Sequence, residues 1–176
     1  VGEEEFTALF HEVSARLFAF AARRLSAQAA DDTVGQTFET VWHKRAECPA
    51  DPDARIGWVF AIGRFKVLQE ADRRQRKHHD NRFADDYTPR PAADADVSDA
   101  VVESAMGRWI YQRLTALERE LFDVAFLTEL TREQASTMLD ISVGTFNTRV
   151  SRLRSRIQAL QHEAEGAENT VGGGTR

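Results

Sequence analysis

Residues Thr131–Leu160 read TREQASTMLDISVGTFNTRVSRLRSRIQAL. Thr131-Arg132-Glu133-Gln134 has the spacing of a capping box, in which the Thr hydroxyl accepts from a backbone N–H three residues on and the Gln side chain reaches back. Ala135, Met138 and Leu139 give the helix that follows an apolar side. Asp140-Ile141-Ser142 forms a turn, with Ser142 suited to cap the next helix. From there Val143, Phe146, Val150, Leu153, Ile157 and Leu160 recur at steps of three and four, which predicts one buried stripe along a second helix. The other positions of that helix carry Thr145, Asn147, Thr148, Arg149, Ser151, Arg152, Arg154 and Arg156, and between Ile141 and Leu160 there are four arginines and no acid. A solvated bundle face usually mixes both signs. A purely basic one on the second helix of a helix-turn-helix suits duplex DNA, because guanidinium forks bond guanine or phosphate and small hydroxyl and amide groups reach phosphates and base edges. Ser142, Thr145, Asn147, Thr148, Arg149, Arg152 and Arg154 are therefore the candidate DNA-facing residues.

Upstream, Thr115-Ala116-Leu117-Glu118 is another capping box, and Val102, Met106, Trp109 and Ile110 anchor a helix from about Asp99 to Leu114. Leu121, Phe122, Val124, Ala125 and Phe126 fill the space between the two boxes. Helix starts so close together imply a bundle of short helices. Residues 163–176, with three consecutive glycines, are expected to be a disordered tail.

The net charge of −5 is unevenly spread. Residues 1–77 hold 12 basic and 12 acidic residues, residues 108–176 hold 9 of each, and the whole excess lies in residues 78–107, with 2 basic and 7 acidic. Within that stretch Asp85-Asp86-Tyr87-Thr88-Pro89-Arg90-Pro91 and the aspartates after it have almost nothing to bury, so an acidic, flexible linker is expected over 78–99. The boundary leaves an N-terminal domain at 1–77 and a C-terminal one at 100–162. Domains of this size bury only ~60% of the surface their unfolded chains expose, so each needs a partner or a well-packed helical core.

The N-terminal part is helical by period. Phe6, Leu9, Phe10, Val13, Leu17, Phe20, Ala21 and Leu25 form one stripe, and Val34, Phe38, Val41 and Trp42 repeat it after Asp31-Asp32, acids suited to a helix's first turn. Pro49 and Pro52 break the chain between Glu47 and Arg55, and a third helix runs from about Ile56 to Arg76. Its end is basic, with Arg64, Lys66, Arg73, Arg74, Arg76 and Lys77, and Trp42, Trp58 and Phe65 lie upstream. Basic residues interleaved with aromatic ones suit single-stranded DNA, whose bases stack on rings, while the alternative is that the rings belong to the core, and Trp42 and Trp58 are expected to be at least partly buried. No alternating strand pattern is visible, so the class is all-α.

Enzyme chemistry has little support. The sequence contains no phosphate-binding glycine loop, paired metal motif or nucleophile motif. His78 and His79 are adjacent and so do not face one site, and no second cluster completes four ligands. Catalytic residues, metals and cofactors are not expected. Cys48 is the only cysteine, which precludes a disulfide within the chain and fits a reducing setting. No apolar run approaches the ~18 residues of a membrane span, and Glu3, Glu4 and Glu5 are the opposite of a signal peptide's basic start, so a cytoplasmic protein is expected.

Three motifs in order resemble the extracytoplasmic-function (group 4) sigma factors of bacterial RNA polymerase. They are Ala30-Asp31-Asp32-Thr33-Val34-Gly35-Gln36-Thr37-Phe38-Glu39-Thr40-Val41-Trp42, then Trp58-Val59-Phe60-Ala61-Ile62-Gly63-Arg64-Phe65 with the basic end through Lys77, then Ile141-Ser142-Val143-Gly144-Thr145-Phe146-Asn147-Thr148-Arg149-Val150-Ser151-Arg152-Leu153-Arg154. The resemblance covers about residues 5–77 and 108–160. It implies two small helical domains, sigma regions 2 and 4, around the linker. It also implies that Asp31, Asp32, Gln36, Phe38 and Glu39 dock on the clamp coiled coil of the polymerase largest subunit. Trp58, Arg64, Lys66, Arg73, Arg74, Arg76 and Lys77 would hold the melted −10 element. The helix-turn-helix would read the −35 duplex, with the flap of the second-largest subunit as a further contact and an anti-sigma factor as a partner. Thr37, Gly35, Phe65 and Asn147 depart from the family's common residues, which implies a weaker clamp contact and an atypical promoter. The competing reading is a stand-alone helix-turn-helix regulator. Such a protein would bind two half-sites as a symmetric dimer and would not need a basic-aromatic helix in a second domain.

Overall fold

The computed structural model describes residues 2–81 and 104–171, and these contain seven α-helices, one π-helical turn and no strand. Helices α1 (Glu3–Ala22), α2 (Ala27–His43) and α3 (Pro52–Asn81) form the N-terminal half. Helices α4 (Ala105–Arg113) and α5 (Ala116–Phe122), the π-turn (Asp123–Leu127), and helices α6 (Arg132–Met138) and α7 (Val143–Val171) form the C-terminal half.

The helix starts lie where the caps are. Thr115 Oγ1 accepts from the Glu118 N–H at 3.2 Å, and Glu118 accepts from the Thr115 N–H at 2.8 Å. Thr131 and Gln134 repeat the arrangement at 3.1 and 3.0 Å, and Ser142 Oγ accepts from the Thr145 N–H at 3.1 Å. Helix α6 ends in a Schellman turn: the Ile141 N–H reaches the Ser136 carbonyl at 3.0 Å, and the Asp140 N–H reaches Thr137 at 3.2 Å. Asp140 takes φ 53° there, a left-handed conformation that Asp tolerates better than most residues. Pro52 does not simply interrupt the chain. It is the first residue of α3, where a missing N–H costs nothing, and Asp51 Oδ2 accepts from the Ala54 N–H at 2.7 Å.

Gly35 lies inside α2, exposed, with open space where a Cβ would project. Gly35→Ala should therefore stabilise the protein by about 1 kcal/mol, read as a higher urea midpoint with an unchanged slope.

Leu9, Val13, Leu17 and Phe20 of α1 meet Val34, Phe38 and Val41 of α2 and Val59, Phe60 and Val67 of α3. The same cluster continues into the C-terminal half through Val124, Ala135, Met138, Phe146 and Val150. The most extensive helix packing is α3 on α6, which joins the two halves. A second cluster of Ile110, Leu114, Phe122, Leu153 and Leu160 lies between α4, α5 and α7. Two halves that would be marginal alone thus share one core.

Polar links follow the same seam. Gln134 Nε2 donates to Asp53 Oδ1 at 2.7 Å, and Arg16 donates to the carbonyls of Thr128 (3.0 Å) and Glu129 (2.7 Å). Arg24 pairs with the fully buried Asp123 at 2.6 Å. Arg64 grips Glu120 through two bonds of 2.9 and 3.0 Å. Gly57 is in van der Waals contact with α6, and a Cβ there would lie 2.7 Å from Thr137 Cβ and 2.8 Å from the Gln134 carbonyl.

Two expected boundaries need adjusting. Helix α3 runs through Asn81, four residues into the 78–99 segment, and the rest of that linker lies outside the described residues. The expected disorder from residue 163 is corrected through Val171, where α7 ends. Glu163, Ala164, Glu165, Ala167 and Glu168 are good helix formers, Ala164 is buried, and the run of glycines begins only at Gly172.

Candidate nucleic-acid interface

Helix α7 is held by its apolar stripe. Phe146, Val150, Leu153 and Leu160 are buried, which fixes the rotation of the helix and turns its arginines outward. Thr145, Arg149, Arg152 and Arg156 follow one another at steps of four, three and four, and all are exposed. Among the described residues, Arg149, Arg152 and Arg156 form neither a hydrogen bond nor an ion pair with another side chain, so their forks are available. Ser142 Oγ is used by the cap and lies 2.9 Å from Thr145 Oγ1, and the Thr148 hydroxyl donates to the Gly144 carbonyl at 3.0 Å.

The seven candidate residues of this helix do not make a single row. Asn147 and Arg154, with Ser151 between them, form a second row along the other flank. There they edge a groove of about 380 Å3 with Phe146 and Val150 among its lining residues and Arg132 of α6 across it. Arg154 also stacks on Phe126, 5.6 Å from the ring centroid. Arg132 was not singled out from the sequence. Only the fold sets it opposite Asn147, although a basic residue one position after a cap was a usable signal.

The basic end of α3 is neutralised where it stands. Arg73 donates to both Glu70 oxygens at 2.7 and 2.9 Å, and Arg74 donates to Glu70 at 2.8 Å and to Ser26 Oγ at 3.2 Å. These two guanidinium groups hold the Glu70 carboxyl at about 2. Arg76 pairs with Asp72. Arg64 is held by Glu120 of the other half, Lys66 is half-buried, and the side chain of Lys77 lies outside the described residues. Trp58 is half-buried and packs on the core, so it is not displayed as a stacking platform. Phe65 is the open ring on α3, 66% exposed, and Trp42 carries Arg45 over its face at 4.6 Å.

On α2, Asp31, Asp32, Gln36 and Glu39 are exposed and fall on one side of the helix. Phe38 is corrected as a surface contact. It is 4% exposed and packs edge-on against Phe6 and Phe10, at 6.1 and 4.8 Å between ring centroids. Its place in the apolar stripe puts it inside.

Between the halves, Tyr111 Oη donates to Asp123, with oxygens at 3.1 and 3.3 Å, beside Arg24. Burial pushes the Asp123 carboxyl up from its ordinary range while Arg24 works against it, and burial and the Asp123 charge push Tyr111 up to about 12. Among the described residues, no group of three or more His, Cys, Asp or Glu side chains could hold a metal ion, and no helix is long and apolar enough to cross a membrane.

No protein-family model matches the chain. It is 27% identical over 140 residues to the RNA polymerase sigma factor NccH of Alcaligenes xylosoxydans xylosoxydans, covering 77% of this chain and 74% of that one. Its structure resembles the sigma factor RpoE of Bartonella quintana, solved with the anti-sigma factor NepR, at a TM-score of 0.63 and 24% identity, over 89% of this chain and 96% of that one. The chain has the sigma-factor fold. CnrH, solved with the cytosolic domain of CnrY, superposes equally well, at a TM-score of 0.63 and 21% identity over 92% of this chain and 90% of that one.

Proposed function

We propose that this chain is an RNA polymerase sigma factor of the extracytoplasmic-function type. It binds core polymerase, directs it to promoters, and is held in check by an anti-sigma factor. The observation that carries the reading is the exposed row of Arg149, Arg152 and Arg156, free of acidic partners, on the second helix of a helix-turn-helix within a sigma-factor fold. In this role α7 enters the major groove of the −35 element, with Thr145, Arg149 and Arg152 toward the DNA. The acidic side of α2 (Asp31, Asp32, Gln36 and Glu39) meets the polymerase clamp. The outer face of α3 receives the melted −10 strand, with the exposed ring of Phe65 as the stacking group and with Arg73, Arg74 and Arg76 exchanging Glu70 and Asp72 for phosphate.

The test is transcription with bacterial core polymerase on a pool of promoter fragments. Core plus this protein should yield discrete run-off products that core alone does not. Equal initiation by core alone, together with failure of the protein to comigrate with core in gel filtration, would sink the proposal.

A further inference from the structure

The start of α7 commits most of its polar groups to itself. Ser142 Oγ accepts from the Thr145 N–H at 3.1 Å and lies 2.9 Å from Thr145 Oγ1, and the Thr148 hydroxyl donates to the Gly144 carbonyl at 3.0 Å. In the first two turns this leaves Asn147 and Arg149 with exposed side chains that form no hydrogen bond or ion pair among the described residues. Successive residues of an α-helix point about 100° apart. Phe146 and Val150 are buried, so Thr148 faces outward, with Asn147 on one side of it and Arg149 on the other. A helix with its side chains is about 10–12 Å across, and the major groove of DNA is about 12 Å wide. Lying in that groove with Thr148 toward the floor, α7 turns one flank to each strand.

The two flanks carry different chemistry. The Asn147 carboxamide sets one donor beside one acceptor, the complement of adenine N7 and N6–H, whereas the Arg149 guanidinium donates twice and suits guanine O6 and N7. On the Asn147 flank the groove of about 380 Å3 has no acid among its lining residues, and Arg132 of α6 stands across it. Arg132 is exposed and has no hydrogen bond or ion pair among the described residues. Its helix is the first of the helix-turn-helix, the one that crosses the DNA backbone, so its charge answers a phosphate and not a base.

We infer that Asn147 is a specificity-determining residue: it reads an adenine on one strand while Arg149 reads a guanine on the other, and Arg132 holds a phosphate on the Asn147 flank. The inference deepens the sigma-factor reading, on which it rests for the name of the duplex, the −35 element. A lysine at position 147 would seek guanine, so the amide changes the sequence sought without moving the helix.

The experiment uses the full chain to select from a pool of short duplexes with a randomised centre, and titrates the selected sequences by anisotropy. The unmodified protein should enrich an adenine on one strand and a guanine on the other, and replacing the adenine pair should weaken binding about tenfold. Asn147→Ala should erase the adenine preference and keep the guanine, and Asn147→Lys should turn the adenine preference into one for guanine. Arg149→Ala should erase the original guanine preference alone. Arg132→Ala should weaken every duplex alike, with the salt slope falling by about one. Far-UV circular dichroism confirms that each variant keeps its helices. The inference is overturned if no base is enriched, if either preference survives loss of its side chain, if Asn147→Lys merely raises affinity for all duplexes, or if Arg132→Ala changes nothing. The sigma-factor reading fails separately, in the transcription assay above: selection of the expected bases without run-off products would leave a DNA reader that is not a sigma factor.

Discussion

Phe60→Ala should destabilise the protein by about 3–5 kcal/mol, the range for truncating a fully buried aromatic side chain. Phe60 is 0% exposed in the third turn of α3, the helix that packs on α1, on α2 and across the seam on α6. Its ring also carries the guanidinium of Arg16, 5.6 Å from the centroid, which reaches on to the carbonyls of Thr128 and Glu129. The cavity would therefore loosen both halves together. Domains of this kind have only ~5–15 kcal/mol of stability in total, so much of it would be lost. Equilibrium urea unfolding reads the change. Phe65→Ala on the same helix, where the ring is 66% exposed, should shift stability by no more than about 0.5 kcal/mol. A small effect at Phe60 would mean that the shared core does not hold the halves together.

The second large effect concerns binding. Arg149→Ala and Arg152→Ala should each weaken binding to a duplex carrying the preferred −35 sequence by about 1–3 kcal/mol where the guanidinium is bidentate to a base. Where a residue instead meets phosphate, the loss should be nearly uniform across sequences, and the salt slope should fall by about one. Anisotropy titrations at two salt concentrations separate these outcomes. Arg113→Ala is the control, because that side chain stacks on Trp109, 3.5 Å from the ring centroid, outside the basic row. Binding unchanged in both α7 variants would remove Arg149 and Arg152 from the reading face.

What could be read from the sequence was local. The boxes at Thr115 and Thr131 and the cap at Ser142 depend on residues three positions apart, and the stripe of α7 repeats within a turn, so the spacing alone fixes them. The misread positions are those whose surroundings come from afar. Phe38 is the exception, because its own apolar stripe on α2 puts it inside although the resemblance implied a surface contact. Arg64 looked like part of a free basic cluster, because Glu120 lies 56 residues away. Asp123 looked like one acid among many, and its burial depends on Arg24 and on the π-turn that carries it inward while leaving Phe126 exposed. For the same reason the charge count of each half, net zero, did not reveal that the balance is struck partly across the seam.

The environment of Asp123 bears on how such a protein can be recombined. Its carboxylate has no solvent contact and takes one partner, Tyr111, from its own half and the other, Arg24, from the opposite half. A chimera that kept this C-terminal half but took its N-terminal half from a relative without arginine at the position of Arg24 would strand a buried charge, a defect that costs about 3–5 kcal/mol. The N-terminal graft would need that arginine transplanted with it, or the acid removed at the same time. The two halves therefore read different stretches of DNA in the proposed role, yet they are not interchangeable cassettes. Drift at either side of this contact is constrained by the residue on the other.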